Sequence, residues 1–223
     1  LSIILISIIS LLLIKQPDVG QTLLVVFLWA VLIFTSGINI FFLLGFSLFV
    51  IVFITYLVIF VPRFDYIYGR IFSFFNRDTG THNFQSDKAI ESITSGGFFG
   101  KGIGEGTLKS RVPEAHTDYI ISVISEEFGV VAIILILLLF LILIYMVFKK
   151  INYEKNEKIK LILIGCVSLI LMQATIHIGV NIRLLPTTGM TLPFLSYGGS
   201  SIVSISILSG IILNLTKRKI DQY

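Results

Sequence analysis

The chain has 223 residues, 55% of them hydrophobic and 13% charged, with a mean hydropathy of +0.96. A soluble domain carries roughly a quarter charged residues, so this composition excludes a soluble globular enzyme or nucleic-acid-binding module and defines an all-α integral membrane protein. The formal net charge of +4 matters less as a sum than for where the charges lie, and the single Cys166 permits no internal disulfide.

In chain order, "LSIILISIISLLLI" (1–14) reads as a span cut short at its start. With an opening Leu and no charged segment before that run, it is not a signal peptide, and we expect a piece of a longer protein. Then comes "KQPDVGQT" (15–22), where Pro17 and Gly20 interrupt two apolar runs and Asp18 sits in the break. Asp18 caps the next helix or faces a shared polar site. Uncharged stretches predict spans at about 19–36, 40–62, 127–148 (with Glu127 flanking), 161–180 and 197–216. Each reaches the roughly 20 residues needed to cross a hydrocarbon core.

Between the third and fourth spans lies a large outer loop, 63–126. Within it "SGGFFGKGIGEGT" (95–107) holds six glycines. Backbone N–H groups in such a loop can cradle phosphate, but Lys101 is followed by Gly102, so Walker A fails, and no GxGxxG occurs. The alternative is a close-packed turn at the membrane surface. Next, "PEAHTD" (113–118) places Asp118 in the first turn of a helix that continues into the membrane. Its carboxylate is either a helix cap or a general base whose pKa an apolar boundary raises. His116 either orients it or is a solvated loop residue. Glu126 and Glu127, two turns on, are expected to face a polar cavity, because charges facing lipid are disfavoured. Near the end, "NIRLLPTTGMTLPFLSYGGSSI" (181–202) is too broken for a regular span and too apolar for a solvated loop. It predicts a re-entrant-like segment before the last helix, buried or lining a cavity. Arg183 is its candidate cation for an anionic phosphate. His177, in the preceding span, is a packed or a functional histidine.

Charge placement orients the bundle. The 149–160 loop carries five Lys and two Glu, and Lys217, Arg218 and Lys219 follow the last span. Both read as cytoplasmic by the positive-inside rule. Residues 15–18, 63–126 and 181–196 then converge on the opposite, extracytoplasmic face.

"QPDVGQTLL", "SGGFFGKGIGEGT", "PEAHTDYIISVISEEFG" and "LLPTTGMTLPFLSYGGSS" occur in the order and spacing of the SEDS proteins. The chain therefore resembles that family of cell-wall glycosyltransferases, which comprises FtsW, RodA and SpoVE. It resembles the FtsW division members more than the RodA elongation members. The family has ten transmembrane helices with its large loop between the seventh and eighth, so the resemblance implies helices five to ten. It also implies polymerisation of lipid II in the bacterial inner membrane, with an undecaprenyl-pyrophosphate leaving group. Carried over, Asp118 is the essential loop aspartate and Asp18 the "QPD" aspartate. Lys109, Arg111 and Arg183 are candidates for pyrophosphate contact, and His116 lies beside the base. Glu114 would orient the loop or, with Asp118, support a divalent cation, magnesium or manganese. The implied partners are a class B penicillin-binding protein, other division proteins and membrane lipid, with no nucleic acid. Two positions depart from the family pattern: Tyr119 stands where Phe is usual, and Thr188 where many FtsW proteins have Lys. The alternatives are a lipid II flippase, or a scaffold that activates the transpeptidase.

Overall fold

The computed structural model describes residues 2–75, 81–108 and 111–217. They form eight α-helices: α1 (Ser2–Lys15), α2 (Val19–Thr35), α3 (Ile40–Phe60), α4 (Asp65–Phe75), α5 (Thr81–Gly96), α6 (Ile120–Tyr153), α7 (Glu157–Asn181) and α8 (Gly199–Thr216), with a 3₁₀ turn at Pro62–Phe64. The architecture is the expected polytopic helical bundle, with no strand among the described residues. Three helices, α6, α7 and α8, are long and apolar enough to cross a membrane; Ser2–Lys15, Val19–Thr35 and Ile40–Val50 are shorter apolar stretches.

Local chemistry sets the helix starts. Asp18 caps α2, its carboxylate accepting from Gln21 N at 2.9 Å, and Asn156 caps α7 by accepting from Lys158 N at 3.0 Å. Each satisfies one of the orphan donors at a helix N-terminus. The 63–126 segment is itself largely helical among its described residues: α4 and α5 lie within it, and α6 begins at Ile120 and runs 34 residues. At Gly129 the backbone turns left-handed (φ 76°), dividing α6 into a short first part and a long apolar second part.

α7 is the axis of the bundle. Its buried positions Leu163, Cys166, Val167 and Ile170 pack with Val147 and Ile151 of α6 and Ile205 and Ile212 of α8. Lipid is as apolar as these side chains, so close packing and hydrogen bonds hold that part together rather than the hydrophobic effect. At the other end a second cluster joins Leu24 of α2, Ala89 of α5, Val112, Ala115 and Tyr119 before α6, Ile176 and Val180 of α7, and Met190. Between α7 and α8 the chain is non-helical from 182 to 198 but well packed, with Leu192 and Met190 buried. Where a re-entrant-like segment was expected, the chain is irregular and anchored at Met190, Leu192, Pro193 and Ser196, while Leu184, Phe194 and Tyr197 stay exposed.

Candidate functional site

The turn before α6 is built on one carbonyl. Glu114 adopts φ 53°, and its C=O accepts from Thr117 N (3.1 Å), Asp118 N (3.1 Å) and Tyr119 N (3.3 Å). Tyr119 is the residue that caps α6, without a capping hydrogen bond from its side chain. Asp118 is therefore not the helix cap. No described residue donates a hydrogen bond to its carboxylate, so the charge faces outward from the turn.

Three successive carbonyls of that turn are held from the far end of the chain. Tyr197 N donates to His116 O at 2.9 Å, Ser196 Oγ to Thr117 O at 2.6 Å, and Asn181 Nδ2 to Asp118 O at 2.9 Å. Ser196 Oγ also accepts from Leu192 N at 2.7 Å, and Asn181 Nδ2 donates to His177 O at 2.9 Å. Asn181, Ser196 and His177 are all buried. Bonds of this kind, made in a low-dielectric interior, fix a backbone closely because breaking one strands a buried polar group.

The Asp118 carboxylate opens on a cavity of about 220 Å³ lined by Arg70, Gln85, Tyr119, Thr187, Thr188 and Gly189. Burial pushes its pKa up, the nearby Glu114 carboxylate pushes it further, and the Arg70 guanidinium partly pulls it back. Arg70, from α4, is the one cation lining this cavity among the described residues, and its Nη1 donates to Thr187 O at 3.2 Å. Gly189 also lines a second, larger cavity of about 680 Å³. That one runs between α2, α7 and α8, with Gln21, Gln173 and Ser201 among its polar groups and Leu24, Leu169 and Leu208 among its apolar walls. A carboxylate cavity thus adjoins a mostly apolar one.

The other expected site residues fall at different distances from this centre. Asp18 caps α2, and its charge is felt with that of Arg70 at the half-buried Tyr66, whose pKa burial raises. The first turn of α2 abuts the cavity wall: a Cβ on Gly20 would come within 3.1 Å of Thr188 O. Glu114 is exposed, its carboxylate accepting from Thr117 Oγ1 at 3.0 Å. His116 is exposed and contributes its carbonyl. Arg111 is exposed, its charge acting on Glu91. Arg183 forms an ion pair with Asp87 beside the cavity and does not line it. Lys109 lies outside the described residues. Glu126 does not face a cavity: it is fully buried, accepting from Ser92 Oγ (3.1 Å), Lys101 Nζ (3.2 Å) and Leu108 N (3.0 Å). Glu127 Oε1 accepts from Gly104 N at 3.3 Å.

Among the described residues no three or more His, Cys, Asp or Glu side chains gather to hold a metal ion. The Asp118–Glu114 pair alone does not make a protein cage for a divalent cation. Arg70, Gln85, Asn181 and Ser196 were not singled out by sequence reasoning. Arg70 sits in the loop among other charges, and the Asp118 and Thr117 carbonyls that Asn181 and Ser196 hold are more than sixty residues away in sequence.

Fold and site define a polytopic helical membrane protein with a carboxylate-bearing cavity at one end of its bundle. The family model described as "Cell cycle protein", covering FtsW, RodA and SpoVE, matches residues 1–220. The chain belongs to this family. Among its relatives, the probable peptidoglycan glycosyltransferase FtsW of Caulobacter vibrioides is 35% identical over 216 residues, 95% of this chain and 53% of the relative. That of Enterococcus hirae is 37% identical over 162 residues, 71% of this chain and 41% of the relative. The chain thus spans about half the length of the curated relatives it matches. A chain of a peptidoglycan synthase complex superposes with a TM-score of 0.78 at 24% identity, over 100% of this chain and 62% of that one, showing the shared fold. An aspartate-to-alanine mutant of Thermus thermophilus rod shape determining protein RodA gives a TM-score of 0.60 at 27% identity, over 96% of this chain and 54% of that one.

Proposed function

We propose that the protein containing this chain is a peptidoglycan glycosyltransferase that polymerises lipid II, with Asp118 as the general base. The observation that carries the reading is a half-buried carboxylate whose pKa burial raises, with no hydrogen-bond donor among the described residues, in a cavity it shares with Arg70. Family membership and the names of the relatives supply the reaction class.

The chemistry is simple to balance. The 4-hydroxyl oxygen of the acceptor sugar bonds to the anomeric carbon of the donor, and its proton passes to Asp118. The bond from that carbon to the pyrophosphate oxygen breaks, and undecaprenyl pyrophosphate departs without needing a proton. One carboxylate therefore suffices, and a raised pKa brings its basicity nearer the working pH. Arg70 stabilises negative charge growing on the leaving group. The adjoining larger cavity, with its apolar walls, receives the first part of a lipid-linked substrate.

The site faces the outside of the bacterial cytoplasmic membrane in this reading, opposite the Lys-rich 149–160 loop. A class B penicillin-binding protein is the proposed partner, supplying the cross-linking that glycan strands need. The test is lipid II polymerisation by the full-length protein with its transpeptidase, wild type against Asp118→Asn. Asn keeps the shape but accepts no proton. Polymer from wild type and none from a folded Asp118→Asn protein supports the base. Equal polymer from both removes Asp118 from catalysis, and wild-type lipid II translocation without polymer favours a transporter.

A further inference from the structure

We propose that the glycine loop 97–104 is an interfacial membrane anchor that seats Phe98, Phe99 and Ile103 among lipids on the side of the membrane that carries the Asp118 cavity. These side chains are 75%, 86% and 78% exposed, although the loop beneath them is tightly held. Lys101 N donates to Glu126 O (2.9 Å), Gly102 N to Glu127 O (3.0 Å), Val130 N to Gly97 O (3.0 Å) and Val131 N to Phe98 O (3.3 Å). The loop lies along the break in α6 and takes up backbone groups that a continuous helix would have paired. A Cβ on Gly96 or Gly129 would overlap the Ser125 or Phe98 carbonyl, so the approach depends on glycine. The apolar tips are consequently carried at a fixed height on α6.

That height is the bilayer boundary. From Val130 to Lys149 a helix rising about 1.5 Å per residue advances roughly 29 Å, the thickness of a hydrocarbon core. With Lys149 and Lys150 at one edge, residues 129–131 stand at the other, and the loop bonded to them stands there too. The neighbouring face of α6 is apolar and exposed at the same level, with Phe128 at 44% and Val131 at 43%, so the loop continues a surface already turned to lipid. Lys101 reaches back to the buried Glu126, which draws the charge at the loop centre away from the Phe tips. Phe is among the apolar side chains that interfacial segments bury at the headgroup–acyl boundary. The occupant is lipid, and this anchoring stands independently of the reaction proposed for Asp118.

The test places a single cysteine at Phe99 (Phe99→Cys) in the full-length protein, with Cys166→Ala and any other native cysteine replaced, and labels it with a polarity-sensitive fluorophore in phosphatidylglycerol–phosphatidylethanolamine nanodiscs. Glu105→Cys, just beyond that loop and exposed, is the aqueous reference, and Ile103→Cys replaces Phe99→Cys if the latter does not fold. Shallow spin-labelled lipid is expected to quench the label at 99 strongly, with iodide quenching at least about threefold weaker than at 105. Iodide quenching equal to that at 105, with no lipid quenching, overturns the anchor. Shielding from iodide without lipid quenching, alone or only after the transpeptidase is added, also overturns it, by showing a protein occupant.

Discussion

Burying the Asp118 carboxylate carries a cost that the proposed base role would explain. Its folded-state pKa lies above the ordinary carboxylate value, so between the two values the folded state binds more protons than the unfolded one. Stability then falls as pH rises through that window and stays lower above it. Asp118→Asn removes the titration, so the variant should melt at a higher temperature than wild type at pH 7 and lose that advantage at pH 3. A lower melting temperature at pH 7 would mean the carboxylate is structural. The same shift sets the rate profile: polymerisation should rise with pH through an inflection above the ordinary carboxylate range, near 4. Arg70 holds that pKa down, so Arg70→Ala should move the inflection further up while lowering kcat. Holding the aspartate in place falls to Asn181. Asn181→Ala strips a buried donor from Asp118 O, at about 1–3 kcal/mol, and should lower kcat about tenfold with KM little changed. An unchanged kcat would show that Ser196 and Tyr197 N suffice. The sequence brought Asp118 forward as an ionisable residue beside an uncharged run but left it between cap and base, and the structure removes the cap. Asn181 was not brought forward, because an amide on a helix announces nothing until its distant partner is in place.

The glycine loop and α6 behave as one element, though more than twenty residues separate their paired backbones. Sequence left the six glycines between a phosphate cradle and a packed turn, and the structure gives the packed turn. What sequence could not supply was the partner: neither the Gly129 break nor the glycines alone show that each accommodates the other's carbonyls. Glu126 draws this unit together, tying Ser92 of α5, Lys101 and Leu108 N to α6. The pattern "SEEFG" gives no sign of which glutamate is buried. Glu126→Ala should strip these donors of their acceptor and destabilise the protein by about 2 kcal/mol or more, read as a lower melting temperature in detergent. Glu126→Gln keeps one acceptor oxygen, enough for Leu108 N, while its new NH2 can donate to Ser92 Oγ instead of accepting from it, and it should recover part of the loss. Equal melting of wild type and Glu126→Ala would remove the glutamate from the loop's support.

At the scale of the molecule, hydropathy exposed the bundle because lipid imposes long uncharged helices, and Pro and Gly exposed the irregular 182–198 segment. The two cavities were hidden, since each is walled by helices far apart in the chain and Gly189 alone appears in both linings. Their adjacency has a kinetic consequence. If the larger cavity receives the lipid-proximal part of the substrate, blocking it should weaken binding while leaving Asp118 and its clamp untouched. Ser204 on α8 lines that cavity, and its hydroxyl bonds only within its own helix, to Ser200 O at 2.9 Å. Ser204→Phe fills space there without removing a tertiary hydrogen bond. Steady-state polymerisation by the full-length protein should then show KM for lipid II raised about tenfold and kcat changed far less, the pattern of lost binding shared by ground and transition states. A drop in kcat at constant KM would place the cavity's influence on the reacting centre instead. A drop in melting temperature with unaltered kinetics would show the space filled by protein and leave the substrate's lipid to another path.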